Sequence, residues 1–217
     1  MPLAEDKPPT YGDLEFALLL APVSQQATSE AKSAVTNAIL AVTHSLEYIL
    51  TGDVQIEFEW LIHEKLRYES DAAPDVDNVI KPLLDGLCGP NGLLIDDCQV
   101  QAVTCYWVDW TREDQQLIVR VKFMPDDWLK KKDLIFIQFP KGLCFPINRN
   151  LPDDTLKTIL GSVEMMLHRR DQLQAISGDY YFSKMLLPIQ RFFHRTRIHN
   201  FPVLKIDEIR EQMSKSV

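Results

Sequence analysis

The residues of this 217-residue sequence best suited to chemistry lie close together: Asp75, Asp77, Asn78, Lys81 and Asp85, followed by Asp96, Asp97 and Gln99. Asp77, Lys81 and Asp85 are spaced i, i+4 and i+8, so a regular helix puts them on one face, with Asp75 just before it. Asp96 and Asp97 open a strand expected to return alongside that helix, so carboxylates from a helix start and a strand start can meet. Such groups repel unless a cation holds them. A set made of Asp without His or Cys suits a hard divalent ion such as magnesium, which takes oxygen ligands and commonly shares them with substrate phosphates. The chemistry implied is phosphodiester hydrolysis, in which bound metal activates water and neutralises charge building on phosphorus oxygens. Lys81 supplies a fixed cation for the same charge. Spacing alone leaves a plainer reading open: Asp75 or Asp77 capping a helix, worth about 1 kcal/mol, and Lys81 with Asp85 as an i, i+4 surface pair worth a few tenths.

The elements that must position these residues can be read from periodicity. Asp13 to Leu20 reads as a strand. A helix follows, capped by Ser29, with Val35, Ile39, Val42, Leu46 and Ile49 forming a stripe of about six turns that Thr51-Gly52 ends. Val54, Ile56, Phe58, Trp60 and Ile62 alternate with residues of mainly polar type and mark a strand with one buried face. After the polar connection 63–74, Val79, Leu83, Leu84 and Leu87 predict a short amphipathic helix ending near Gly89, with Pro82 making its first turn irregular. Val100 to Trp110 and Leu117 to Met124 read as strands joined by a hairpin loop. Trp60, Trp107 and Trp110 fall on these strands, where large rings fill cores. The order β-α-β-α-β-β over 13–124 predicts an α+β fold, a mixed β-sheet flanked by helices.

Beyond Pro125, DDWLKKKD reads as a charged hinge, Leu134 to Phe139 as a short strand, and the rest as a mainly helical C-terminal extension. Helices are expected from Pro152-Asp153-Asp154 to Arg170, from Tyr180 to His194 across Pro188, and from Asp207 to Lys215. The expected domains are 1–128 and 129–217.

Composition narrows the class. With 46% hydrophobic and 25% charged residues the chain is of ordinary globular type. No window approaches the roughly 18 apolar residues of a membrane span, and the acidic opening MPLAEDKPPTYGD is unlike a signal peptide, so no membrane contact and a cytoplasmic location are expected. Cys88, Cys98, Cys105 and Cys144 have no CxxC spacing, which indicates neither a disulfide framework nor a zinc site. Net charge is −8, but unevenly spread: residues 1–140 hold 11 basic and 23 acidic side chains, residues 141–217 hold 12 and 8. A polyanionic partner has to be met locally.

The stretches DVDNVIKPLLDGL and GLLIDDCQV together resemble the signature of the RusA family of Holliday junction resolvases: Asp-x-Asp-Asn, a Lys four residues after the second Asp, an Asp four further on, then Asp-Asp-x-Gln before an apolar strand. The resemblance implies that Asp75, Asp77 and Asp97 are magnesium ligands, and that Lys81 is the family's functional lysine. By the same resemblance Asn78, Asp85, Asp96 and Gln99 support the site from behind. It further implies a homodimer that binds four-way DNA and nicks it symmetrically in recombination and repair, a two-fold protein on a two-fold junction. The chain departs from the family in basicity. Only Lys65 and Arg67 lie near the first aspartate block, opposed by Glu64, Glu69 and Asp71, and APVSQQATSEAK keeps Pro22 and Ser24 but has no Arg. Since duplex affinity comes mostly from neutralised phosphates, weak intrinsic DNA binding is expected unless the C-terminal part compensates.

That part carries His168, Arg169, Arg170, Lys184, Arg191, His194, Arg195, Arg197 and His199 among Tyr180, Tyr181, Phe182, Phe192 and Phe193. The mixture suits backbone contacts and base stacking on branched DNA, and equally a core with a charged rim or an interface for a protein partner through residues 129–217. The histidines lack metal-ligand spacing. The rival functional reading is a non-catalytic module that keeps the fold and recruits a partner through its extension.

Overall fold

The computed structural model describes residues 4–70, 75–112, 114–187 and 190–215, with side chains described as far as Glu211. The chain forms two compact units, 1–132 and 133–217. In the first, the order is β1 (Asp13–Leu19), α1 (Ser29–Thr43), β2 (Tyr48–Leu50), β3 (Val54–Ile62), α2 (Glu64–Tyr68), α3 (Val76–Leu87), β4 (Val100–Asp109), β5 (Gln116–Phe123) and β6 (Trp128–Lys130), with a 3-10 turn at Asp97–Gln99.

The main sheet has the order β1-β5-β3-β4 and is mixed, β3 running parallel to β4 and antiparallel to β5. Alternation makes one face apolar. Phe16, Ile56, Phe58, Trp60 and Val119 share a buried core with Val35 and Ile39 of α1 and Val79, Leu83 and Leu87 of α3. Close approach of the two helices requires Gly86, since a Cβ there would lie 2.7 Å from Ile39 Cδ1. The expected β4–β5 hairpin does not form, because β3 inserts between the two strands. Six residues reach roughly 20 Å when extended, and stepping over one strand takes only about 10 Å, so a polar loop of that length does not dictate which strands pair.

Helix α1 is capped by Thr28, whose Oγ1 accepts from Ala31 N–H at 3.2 Å, and not by Ser29. It also ends six residues earlier than the apolar stripe suggests. Leu46 and Ile49 are buried as expected, but Tyr48–Leu50 is a strand antiparallel to Trp128–Lys130, the segment expected to be a hinge. Spacings of 3 and 4 cannot tell a longer helix from a turn followed by a fully buried strand. Lys131 marks the true end: its ammonium donates to the Thr43 carbonyl at 2.7 Å and the Asn91 carbonyl at 3.0 Å. Burial lowers its pKa to about 8.

Pro82 lies inside α3, whose first turn is regular after all. The proline deletes the bond to the carbonyl four residues back, that of Asn78. Gln25 N–H replaces it at 2.7 Å, tying the loop before α1 onto α3.

In the second unit the order is β7 (Leu134–Gln138), β8 (Leu143–Asn148), α4 (Asp153–Ser177), α5 (Tyr180–Ser183), β9 (Phe193–His194), β10 (Val203–Lys205) and α6 (Ile206–Lys215). Helix α4 is the largest element, entered at Pro152 with Asp153 and Asp154 in its first turn and ended by Gly178 at φ 68°. Beside the helices stands a sheet of order β10-β7-β8-β9. Its strands β8, β9 and β10 were not anticipated from the sequence. The helix expected over Tyr180–His194 is a single turn plus a 3-10 turn at Lys184–Leu186; Pro188 lies outside the described residues. Phe193 is 1% exposed and meets Phe136 edge-on at 5.7 Å, so core packing draws this segment into the sheet. Among the described residues, no helix is long and apolar enough to cross a membrane.

Candidate active site

Lys81, Asp85 and Asp97 meet where α3 runs beside the 3-10 turn before β4, and Asp75 and Asp77 lie at the start of α3. Asp75 takes the N-cap position with φ −68° and ψ 153°, yet its side chain makes no capping hydrogen bond. Asp77 lies in the first turn, and both carboxylates are exposed at the end of α3 where the helix dipole favours negative charge. The plain reading of Asp75 as a side-chain cap therefore does not hold.

Lys81 is the hub. Its ammonium donates to Asp85 Oδ1 at 2.5 Å, one turn on, and to Asp97 Oδ2 at 2.9 Å, sixteen residues on. The i, i+4 pair exists, but it is half of a bridge from helix to turn. The bond to Asp85, reinforced by that to Asp97, outweighs burial and raises the Lys81 pKa, so the side chain stays an ammonium at neutral pH.

The turn that carries Asp97 is held by Gln99, two residues on. Gln99 is fully buried. Its Oε1 accepts from Ile95 N–H at 2.8 Å and Asp96 N–H at 3.2 Å, and its Nε2 donates to the carbonyls of Leu50 at 3.0 Å and Gly52 at 2.7 Å. All the hydrogen-bonding capacity of the amide is used, and the turn that carries Asp97 is clasped to the β2–β3 connection. The Asp96 carboxylate accepts from Cys98 N–H at 3.0 Å, and Asp96 and Gln99 together form a capping box at the start of the turn. Asn78 contributes through its backbone, its N–H donating to the Asp75 carbonyl at 3.0 Å and its carbonyl accepting from Gln25.

Two participants were missed in the sequence. Gln25 acts through its main chain, which no side-chain pattern can reveal. Cys88 lies against the acidic cluster: burial, then the charges of Asp97, Asp96 and Asp85, push its thiol pKa up and keep it protonated. Its place follows from the chain doubling back after α3, where Leu93 and Leu94 N–H both donate to the Leu87 carbonyl at 2.8 and 2.9 Å.

The contacts therefore unite Lys81, Asp85 and Asp97, while Asp75 and Asp77 stand at the helix entrance. Among the described residues, no three His, Cys, Asp or Glu side chains stand in an arrangement that could hold a metal ion. The donor chemistry nevertheless suits a hard cation, being carboxylate oxygen throughout, with the Asp75 side chain not spent on the helix end. Basic groups nearby are few. Lys32 Nζ donates to the Gln25 carbonyl at 3.3 Å, and on α2 the Arg67 guanidinium lies 4.9 Å from the ring centre of Tyr68 and 5.8 Å from that of Trp107.

A search of curated proteins found no match to this chain. Residues 22–122 match the family model described as endodeoxyribonuclease RusA. That span holds the whole of the Asp75–Gln99 constellation together with α1, β3 and β4. The segment 22–122 is thus similar to the RusA endodeoxyribonuclease family.

Proposed function

We propose that this protein is a magnesium-dependent endodeoxyribonuclease that resolves Holliday junctions or related branched DNA by phosphodiester hydrolysis. The observation that carries the reading is the Lys81 bridge between Asp85 and Asp97 beside the exposed carboxylates of Asp75 and Asp77, all inside the family-matched span. Asp75, Asp77 and Asp97 would hold the metal. Bound magnesium supplies an activated water and a counter-charge for the phosphorus oxygens. Lys81 keeps one ammonium proton beyond those given to Asp85 and Asp97, and directs it to a non-bridging phosphate oxygen as charge develops there. Gln99 and Asp96 hold the turn still, so Asp97 meets its partners without reorganisation. The protein would act as a homodimer, each copy addressing one of two opposed strands, in cytoplasmic DNA recombination and repair. The second unit, within residues 129–217, would supply basic contacts or a protein-docking face.

The test compares the natural chain with Asp77→Asn on labelled four-way junctions, flaps and linear duplex in magnesium. Cutting of branched DNA by the natural chain is expected, with a loss of about 100-fold or more in the variant. Equal residual cutting by both removes Asp77 from the mechanism. No cutting by the natural chain, together with magnesium binding indifferent to Asp75→Asn and Asp97→Asn in calorimetry, would instead identify a non-catalytic module.

A further inference from the structure

The second unit contains a pocket of about 250 Å³ between the β7–β8 turn and α4. Phe139, Leu143 and Leu167 give it an apolar floor, and Lys141, Glu164, His168, Arg170 and Asp171 a polar rim. Three features are unusual together. Arg170 is 8% exposed, a buried guanidinium whose Nε and Nη2 both donate to Asp171 Oδ1, at 2.8 and 2.5 Å. Lys141 donates to the other oxygen of Asp171 at 2.8 Å. Lys141 also sits at φ 64°, among the described residues the one non-glycine with positive φ, in a turn position that glycine occupies without strain. A positive φ on a non-glycine residue is a conformation that the surrounding structure has to hold in place.

The charged side chains lining the pocket balance, Lys141 and Arg170 against Glu164 and Asp171, and the surplus lies just behind them. Asp171 alone answers both Lys141 and Arg170, while Glu164 is engaged by Arg210 of α6. His168, also on the rim, makes no hydrogen bond among the described residues. His194 and Arg195 stand behind the same turn, a Cβ on Gly142 lying 2.9 Å from His194 Nε2 and 3.5 Å from Arg195 Cδ. With Arg195 and Arg210 counted the local balance is positive, beside the apolar side chains of Phe139, Leu143 and Leu167.

We propose that this pocket binds one phosphate-bearing nucleotide unit, its phosphate shared by Lys141, His168 and Arg170 and its base resting on Phe139, Leu143 and Leu167. The unit is either a free mononucleotide or the 5′-phosphorylated end of a DNA strand, which present the same chemistry. Asp171 holds the two cations in place until the phosphate shares them. The assignment is independent of the acidic site at α3, because every group it uses lies in the second unit.

Isothermal titration of the full chain without added metal tests it, using a deoxynucleoside 5′-monophosphate, the matching nucleoside, inorganic phosphate, and a single-stranded oligonucleotide with and without a 5′-phosphate. The decisive variant is Lys141→Gly, which removes the ammonium and suits the positive φ, so its melting temperature should be held or raised. Saturable binding of the monophosphate at one per chain is expected, at least tenfold weaker for nucleoside or phosphate alone and at least tenfold weaker in Lys141→Gly. Binding of only the 5′-phosphorylated strand supports the proposal and assigns the pocket to DNA ends. Absence of binding by any phosphate ligand overturns it, as does equal affinity of natural chain and Lys141→Gly, or of nucleotide and inorganic phosphate.

Discussion

Two clusters in the first unit each place a cation among carboxylates, and they differ in what is left over. On the charged face of the sheet, Arg120 Nε donates to Glu15 Oε2 at 2.6 Å, and its Nη1 to Glu57 Oε1 at 2.6 Å and Glu59 Oε2 at 2.5 Å. The Tyr106 hydroxyl reaches Glu57 and Glu59 at 3.1 and 3.2 Å. Register builds this cluster, since Arg120 lies opposite Glu15 on β1 and Glu57 on β3, and Tyr106 opposite Glu59. The guanidinium beside Glu57 holds that carboxyl below its usual range, and every carboxylate of the set has a donor. At the start of α3, Lys81 satisfies Asp85 and Asp97, while Asp75 and Asp77 remain turned to solvent. Both clusters hold more carboxylates than cations, so net charge does not separate them; each Glu beside Arg120 has a donor, whereas Asp75 and Asp77 stand exposed at the helix entrance.

The contrast is broken most directly by neutralising one member of each cluster. Asp97→Asn should reduce cleavage of four-way DNA by about 100-fold or more, whereas Arg120→Gln should leave cleavage intact and lower unfolding free energy by about 1 kcal/mol, as for a partly exposed network. A comparable loss of cleavage in both variants, with folding verified by circular dichroism, would erase the distinction. The next largest effect belongs to the scaffold. Gln99→Leu keeps the volume but strands two N–H groups and two carbonyls, and should cost about 3 kcal/mol in urea denaturation; a cost near zero would show that Asp97 needs no clasp. The smallest effect calibrates what one buried polar atom costs here. Tyr48 is fully buried and its hydroxyl has no hydrogen-bond partner among the described residues. Tyr48→Phe should stabilise by roughly 1 kcal/mol. Burial raises the Tyr48 pKa from 10.0 to about 12, so folding holds the proton more tightly than the unfolded chain does. Stability contributed by that proton is full below pH 10 and is lost as pH rises to 12. Melting profiles of Tyr48→Phe should be correspondingly flatter than wild type over that interval.

The α+β class was legible in the sequence, and so was one contact of the candidate site. Asp75, Asp77, Lys81 and Asp97 lie in two short blocks, and helical spacing alone predicts the Lys81–Asp85 contact. β3, α3, α4 and α6 were readable because their apolar periods are long or their ends are marked. The failures share one cause, partners far away in sequence. Leu46 and Ile49 fit a helical stripe, and only β6, some eighty residues on, makes their neighbourhood a strand. The β4–β5 hairpin failed because β3, earlier in the chain, takes the place between them. Gln99 looked like a minor member of the motif, yet its donors reach residues 49 and 47 positions away. The aromatics of the second unit split likewise: Phe193 is core and Phe192 packs against Phe145, while Tyr180, Tyr181 and Phe182 are exposed, a division set by tertiary packing and invisible in composition.

Pro82 has a consequence for anyone hoping to stabilise this molecule. Alanine there would make α3 a better helix in isolation and let Asn78 recover a partner from within its own coil. The same change would dismiss Gln25 from its post and unmoor the segment leading into α1. A substitution that any propensity scale recommends would thus trade an anchored loop for a wandering one.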